Sequence, residues 1–271
     1  ANQNVAVGQN ALLTATTAAD NVGIGHDAMR LTTTGGNNVG IGTDALRANT
    51  EGSENVSIGM NTMAANTTGE DNTAIGYAAL YANTTADANV AVGFYALKDN
   101  TTGAANCSVG VNSLQDNTTG GQNVSMGYNS MYTNTTGANN VALGTSALYT
   151  NNADNNTAVG TSALGANTTG TENNAIGKDA MAANTTGSYN NVMGVDALTA
   201  NTTGQRNTVV GAYAMASNTT ASYNSAVGMY ALNTNTTGVS NTAMGYEALA
   251  YSTTSSNNTA MGYGALRVNT T

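Results

Sequence analysis

The chain has no proline, no tryptophan, one phenylalanine, one cysteine and one histidine, and only 8% of its 271 residues are charged. Each scarcity removes a class of explanation. With so few large aromatic residues a globular core cannot be filled, so any core must be thin and linear. A single cysteine, Cys107, closes no internal disulfide. Because it stands where other repeats carry Val or Thr, it is expected to be a small buried hydrophobe rather than a redox centre. His26 alone supplies neither a multi-histidine metal site nor the usual catalytic base, and its variable position predicts a solvent-facing side chain. Six Lys and Arg against 15 Asp and Glu give a net charge of -9, which repels phosphate backbones and argues against a nucleic-acid partner. No apolar run approaches the roughly 20 residues that cross a bilayer, so no membrane insertion by this segment is expected.

What the sequence has is glycine, asparagine and threonine in strict order. Gly8, Gly25 and Gly42 begin a series that runs to Gly262 at a spacing of 17 residues, with a single step of 16 between Gly144 and Gly160. Self-similarity at a short fixed period is the mark of a solenoid, each repeat one coil stacked on the next. Each turn is numbered from its invariant Asn, from Asn4 and Asn21 through Asn140 and Asn156 to Asn258. Position 2 is Val in most early turns and polar later, position 3 is small, position 4 is Val, Ile, Leu or Met, and position 5 is Gly. Such a short alternating run, bounded by Asn and Gly, predicts a strand of about four residues. The density of Gly, Asn and Thr disfavours helix.

Two variable residues follow the glycine. Then come a small residue and a Leu or Met, as in Ala28-Met29 and Ala45-Leu46. Positions 4 and 9 are apolar in every turn and are expected to form the core. The turn closes on a corner such as Asn66-Thr67-Thr68-Gly69, and the one short turn, Asn151-Asn152-Ala153, loses a residue there, which keeps the apolar columns in register. Stacking at about 4.8 Å turns every position into a column and predicts a rod of roughly 77 Å for 16 turns. The first-position Asn column then becomes a ladder of side-chain amides, and the Gly column fits a corner needing positive φ or close backbone approach. The expected fold is therefore all-β: a parallel β-solenoid, or β-roll, of 16 turns with 17 residues per turn, residues 1–271 forming one repetitive segment.

The motif Asn-Val/Thr-Ala-Val/Ile-Gly-x-x-Ala-Leu resembles the head repeats of trimeric autotransporter adhesins. The fuller unit with Asn-Thr-Thr-Gly resembles repeats of phage-type tail-fibre proteins. The resemblance covers the whole chain, and it implies one coil of a left-handed parallel β-roll per repeat, three associated chains, and a place outside the cell, on a cell surface or on a virion. The fixed 17-residue period is longer than the adhesin repeat. The family supplies no catalytic residue.

Nothing in the pattern calls for catalysis, a cofactor or a metal. The recurrent Ser and Thr lack a base partner and read as corner and ladder residues. Asp27 with Asp44, and Asp179 with Asp196, share a column in consecutive turns, but Arg30, Arg47 and Lys178 lie close by to neutralise them. The Asn-Thr-Thr corner also matches an N-glycosylation acceptor, a match better explained by structural periodicity.

Tyrosine is the unusual feature, with 13 residues placed almost entirely at variable positions. Tyr77, Tyr81, Phe94, Tyr95, Tyr128, Tyr132 and Tyr149 concentrate in turns 5 to 9 and form a candidate surface-binding set. Their rigid apolar faces suit sugar rings or a protein interface. The expected function is a structural or adhesive segment of an extracellular fibre. Its expected partners are copies of itself, as a homotrimer or an end-to-end fibre, and a surface polysaccharide. Stopping on Thr270-Thr271 without a distinct capping turn agrees with a segment that continues or stacks. The alternative is an ice-binding solenoid, in which Thr67, Thr68, Thr84, Thr85, Thr101, Thr102, Thr118 and Thr119 would order water; the Gly after each Thr pair, or Ala86 after Thr84-Thr85, argues for a bend there rather than a flat strand.

Overall fold

A computed structural model describes residues 3–269. Thr270-Thr271, on which the end-to-end expectation partly rests, lie outside them. The described residues form sixteen three-residue strands and no helix, the architecture of a parallel β-solenoid with about 17 residues per turn. Two compact units divide the chain between Ala138 and Asn139. The first holds β1 (Val5–Val7) to β8 (Val124–Met126), and the second holds β9 (Val141–Leu143) to β16 (Thr259–Met261).

Within each unit, every strand pairs in parallel with the same positions of the next turn. In the first unit Val22 faces Val39 and Ile24 faces Ile41. In the second, the short turn leaves this register intact, because Val141 still faces Thr157 and Leu143 faces Val159. Removing one corner residue shortens the bend and leaves the ladder alone. Hydrogen bonding between turns continues past the strands, as in Leu46 N–H to Thr62 O (3.0 Å) and Thr50 N–H to Thr67 O (3.0 Å).

The strand ends where glycine turns the chain. Position-5 glycines have φ between 118° and 149°, and a Cβ at Gly59 would lie 2.5 Å from the carbonyl oxygen of Gly76. Positive φ and close backbone approach both demand glycine there. Three further positions in each of the first fifteen turns are left-handed without being glycine; in one coil they are Asn61 (φ 59°), Met63 (φ 49°) and Asp71 (φ 58°). Such a conformation is costly for a bulky residue, and Met63 keeps it because its side chain is fully buried and both of its main-chain groups are bonded.

The core follows from that geometry. The Leu and Met side chains of position 9, such as Leu97 and Met131 in the first unit and Leu148 and Leu198 in the second, have no exposed surface. Position 4, expected beside them, points outward instead: Ile24 is 37% exposed, Met126 45% and Met193 49%. Position 3 takes the interior place, with Ala74, Ala91 and Ala175 fully buried. Size decides this, since the position-9 side chain already fills the coil: a Cβ at Gly40 would lie 2.6 Å from Met29 Cγ. The same alternation corrects the reading of Cys107, which stands at position 2 and is half-exposed on the outer face.

Two asparagine ladders line the interior. In the expected one, at position 1, Asn38 donates its main-chain N–H and its side-chain amide to Asn21 Oδ1 (2.9 and 3.1 Å) and to Gly52 O (2.9 Å). The second runs at position 12, inside the Asn-Thr-Thr corner, where Asn83 donates to Asn66 Oδ1 (2.8 Å) and Ala86 O (3.0 Å). Each Asn in it is buried, so the sequons Asn66-Thr67-Thr68 and Asn83-Thr84-Thr85 present no free amide to a glycan in the folded coil.

Candidate functional site

The variable positions 6, 7, 10 and 11 follow the glycine corner, and their side chains stand on neighbouring turns about 4.8 Å apart. In the first unit this brings four of the expected aromatic residues together. Tyr77 stacks on Phe94 with ring centroids 5.3 Å apart and planes at 17°, and Tyr95 tilts against both at 5.5 and 4.1 Å. Tyr77, Tyr81 and Tyr95 wall a hollow of about 200 Å³ together with Asn61, Ala78 and Lys98. The small Ala78 between larger neighbours creates the depression. Lys98 sits 5.3 Å from the Tyr95 ring centroid and 3.0 Å from Asp99, whose hydrogen bond holds the ammonium pKa above its ordinary value.

The other expected aromatics are not part of this cluster. Tyr128 is exposed at position 6, with Val111 occupying the turn between it and Phe94. Tyr132 is half-buried and accepts a 3.4 Å hydrogen bond from Gln115 Nε2, while Tyr149 belongs to the second unit.

A second aromatic group, outside the expected set, occupies turns 13 to 16. Tyr213 stacks on Tyr230 (5.3 Å, 13°), Tyr230 meets Tyr246 edge-on (6.2 Å, 88°), and Tyr246 stacks on Tyr263 (5.2 Å, 12°). Beside it Tyr230, Asn233, Glu247, Ala250 and Tyr251 line a hollow of about 310 Å³. Glu247 pairs with Arg267 at 2.5 Å, and that guanidinium lies 5.1 Å from the Tyr251 ring centroid. The adjacent Tyr246 phenol is held above its ordinary pKa, chiefly by the neighbouring Glu247 carboxylate. The available signal was columnar: reading positions 6 and 7 down the chain gives Tyr213, Tyr230, Tyr246 and Tyr263 in successive turns. Position 17 holds a third arrangement, with Arg206 between Tyr189 (5.3 Å) and Tyr223 (5.6 Å).

The threonine corner is a bend rather than a strand. Thr67, Thr84, Thr101 and Thr118 are half-buried and each hydroxyl donates to the main-chain oxygen of the next turn's Thr at 2.9–3.2 Å. Thr68, Thr85, Thr102 and Thr119 form the exposed column beside them.

Three of the four column carboxylates are paired within their own turns, Asp27 with Arg30 at 3.8 Å, Asp44 with Arg47 at 3.6 Å and Asp179 with Lys178 at 2.7 Å. His26 is exposed, with Nδ1 3.9 Å from Asp27. Among the described residues no three His, Cys, Asp or Glu side chains come together as a metal site would require.

Within each unit the outward face of the strands repeats from turn to turn. Positions 2 and 4 carry Val22 and Ile24, Val39 and Ile41, Val56 and Ile58 in successive turns, and no strand in either unit places a charged residue there. No protein-family model, curated protein or solved structure matches the chain.

Proposed function

We propose that the chain is a structural segment of an extracellular fibre that associates side by side with copies of itself through the outer face of its strands. The observation carrying this reading is that uncharged, largely apolar face. Exposed apolar surface of such extent marks an interaction site. The occupant is a second copy because the face repeats every turn, and only a surface with the same period can meet all of its rows. Residues Ile24, Ile75, Met126, Met193 and Val210, exposed at the outward position 4, would be removed from water there. The resemblance to adhesin-head and tail-fibre repeats supports three chains and a cell-surface or virion location. The exposed rings of Tyr77, Tyr81 and Phe94 support an adhesive contribution toward a surface polysaccharide.

Sedimentation equilibrium tests the association. The parent chain is expected as a multiple of 27.1 kDa. Replacing Ile58, Ile75, Met193 and Val210 by Lys should return it to a single chain with an unchanged circular dichroism spectrum. A parent chain that sediments as a monomer at all concentrations would overturn the proposal.

The exposed column Thr68, Thr85, Thr102 and Thr119 favours ice binding as a second reading. Since the neighbouring column has committed its hydroxyls to the backbone, the ordered surface is one column wide. Absence of thermal hysteresis and of ice shaping by the parent chain removes this reading.

A further inference from the structure

The geometry points to a saccharide-binding site in the second unit, the hollow formed by Tyr230, Asn233, Glu247, Ala250 and Tyr251, whose ligand is a neutral pyranose unit of a polysaccharide. Its volume of about 310 Å³ reaches the lower end of the range typical of small-ligand sites, about 300 Å³, which the 200 Å³ hollow of the first unit does not. The hollow exists because position 10 is Ala250 in this turn, where Tyr81, Tyr132 and Tyr149 stand in others and Arg267 follows in the next. A short side chain has been left between two tyrosines.

The lining matches what a pyranose needs. A sugar ring offers a face of C–H groups and an equator of hydroxyls, so it is held by an aromatic face with polar groups at the edge. Tyr230 is fixed from one side by Tyr213 and edge-on by Tyr246, so ordering it for a ligand costs little further side-chain freedom. Glu247, one turn further along the same column, supplies carboxylate oxygens as acceptors. Asn233 is oriented by donating one amide N–H to the Tyr213 carbonyl at 2.8 Å.

Charge decides against other small ligands. Two tyrosines with a carboxylate would also suit an ammonium ion, but Arg267 already neutralises Glu247 at 2.5 Å and covers the Tyr251 ring at 5.1 Å. No net negative charge remains to reward a cation. An anionic sugar would have to approach the Glu247 carboxylate. Neutral hydroxyls can use both members of the ion pair, as acceptor and donor. The site shares no residue with the strand face, so it stands or falls separately from lateral association.

Affinity electrophoresis of the full chain through gels containing a soluble β-glucan, a galactomannan or dextran tests the site, with choline chloride and polygalacturonate as the charged probes. At least one neutral polymer should retard the parent chain. Tyr230→Asn, which keeps a residue found at this left-handed position in other turns, should weaken retardation about tenfold through loss of the stacking face. Ala250→Tyr, which restores the tyrosine used at this position elsewhere, should abolish it. Tyr189→Asn, at an exposed tyrosine outside the hollow, should leave it unchanged, and thermal melting of each variant verifies the fold. The proposal is overturned if no neutral polymer retards the parent chain, if Ala250→Tyr is still retarded, if Tyr189→Asn is as damaging as Tyr230→Asn, or if only a charged probe binds. Sedimentation of the same samples reports on association separately.

Discussion

The side-chain amide of Asn66 donates to Asn49 Oδ1 at 2.9 Å and to the main-chain oxygen of Gly69 at 3.0 Å, so both of its N–H groups are spent inside the coil. One bond ties a turn to its predecessor. The other closes the turn's own corner.

Breaking the middle of this ladder should therefore be expensive. Asn83→Leu removes the donor to Asn66 and to Ala86 O and the acceptor used by Asn100, leaving buried groups without partners. At about 1–3 kcal/mol for each orphaned group the loss should reach a few kcal/mol. Asn112→Ala, which loses one half-exposed bond to Asn129, should cost under about 1 kcal/mol. Thermal melting of the two variants orders them; an equal effect would remove the ladder from the account of stability.

Inside and outside should separate just as clearly at positions 9 and 4. Leu148→Asp buries a charge where no surface is exposed and should destabilise by several kcal/mol. Met193→Ser, at a side chain 49% exposed, should cost little in a single chain. Chemical denaturation below the association concentration measures both, and similar midpoints would mean the interior has been misassigned.

The two glycine columns should respond differently to alanine. Gly110 combines φ of +135° with a Cβ direction blocked by the backbone of the next turn, so Gly110→Ala should lose more than the ~1–3 kcal/mol of conformational strain alone. Gly103→Ala also meets a neighbouring carbonyl, but its φ is not positive, and Ala86 and Ala221 occupy the same column naturally. The corner must shift to admit the methyl group, so this variant should melt below the parent but above Gly110→Ala.

Acid should relieve one local stress. Burial, and then Asp99 one turn earlier in the same column, raise the Asp116 carboxyl above its ordinary 3.8. A carboxyl raised in the folded state holds its proton more tightly folded than unfolded. Its contribution is thus unfavourable above the raised value, is relieved as pH falls through that value, and vanishes below 3.8. Asp116→Asn should melt higher than the parent at neutral pH, with the difference shrinking to nothing in acid. A difference independent of pH would assign the effect to packing instead.

The period, the strand position, the glycine corner and the first asparagine ladder were all legible in the sequence, because each rests on a residue type repeated at the same position: Gly8, Gly25 and Gly42, or Asn4, Asn21 and Asn38. Composition misled at one point, since Val and Ile at position 4 look more like core than Ala and Gly at position 3. Only the folded coil shows that Met29 and its column already fill the interior, so that size rather than hydrophobicity sends Ile41 outward and keeps Gly40 in. The second ladder was hidden by the Asn-Thr-Thr pattern, which reads equally as a surface sequon until Asn66 is seen bonded across turns. The tyrosine sites were half legible. Columns are fixed by the period, but whether neighbouring rings stack, as Tyr77 on Phe94, or leave a hollow, as beside Ala250, depends on side-chain sizes one turn above and below, and stacking of the turns is what brings those together.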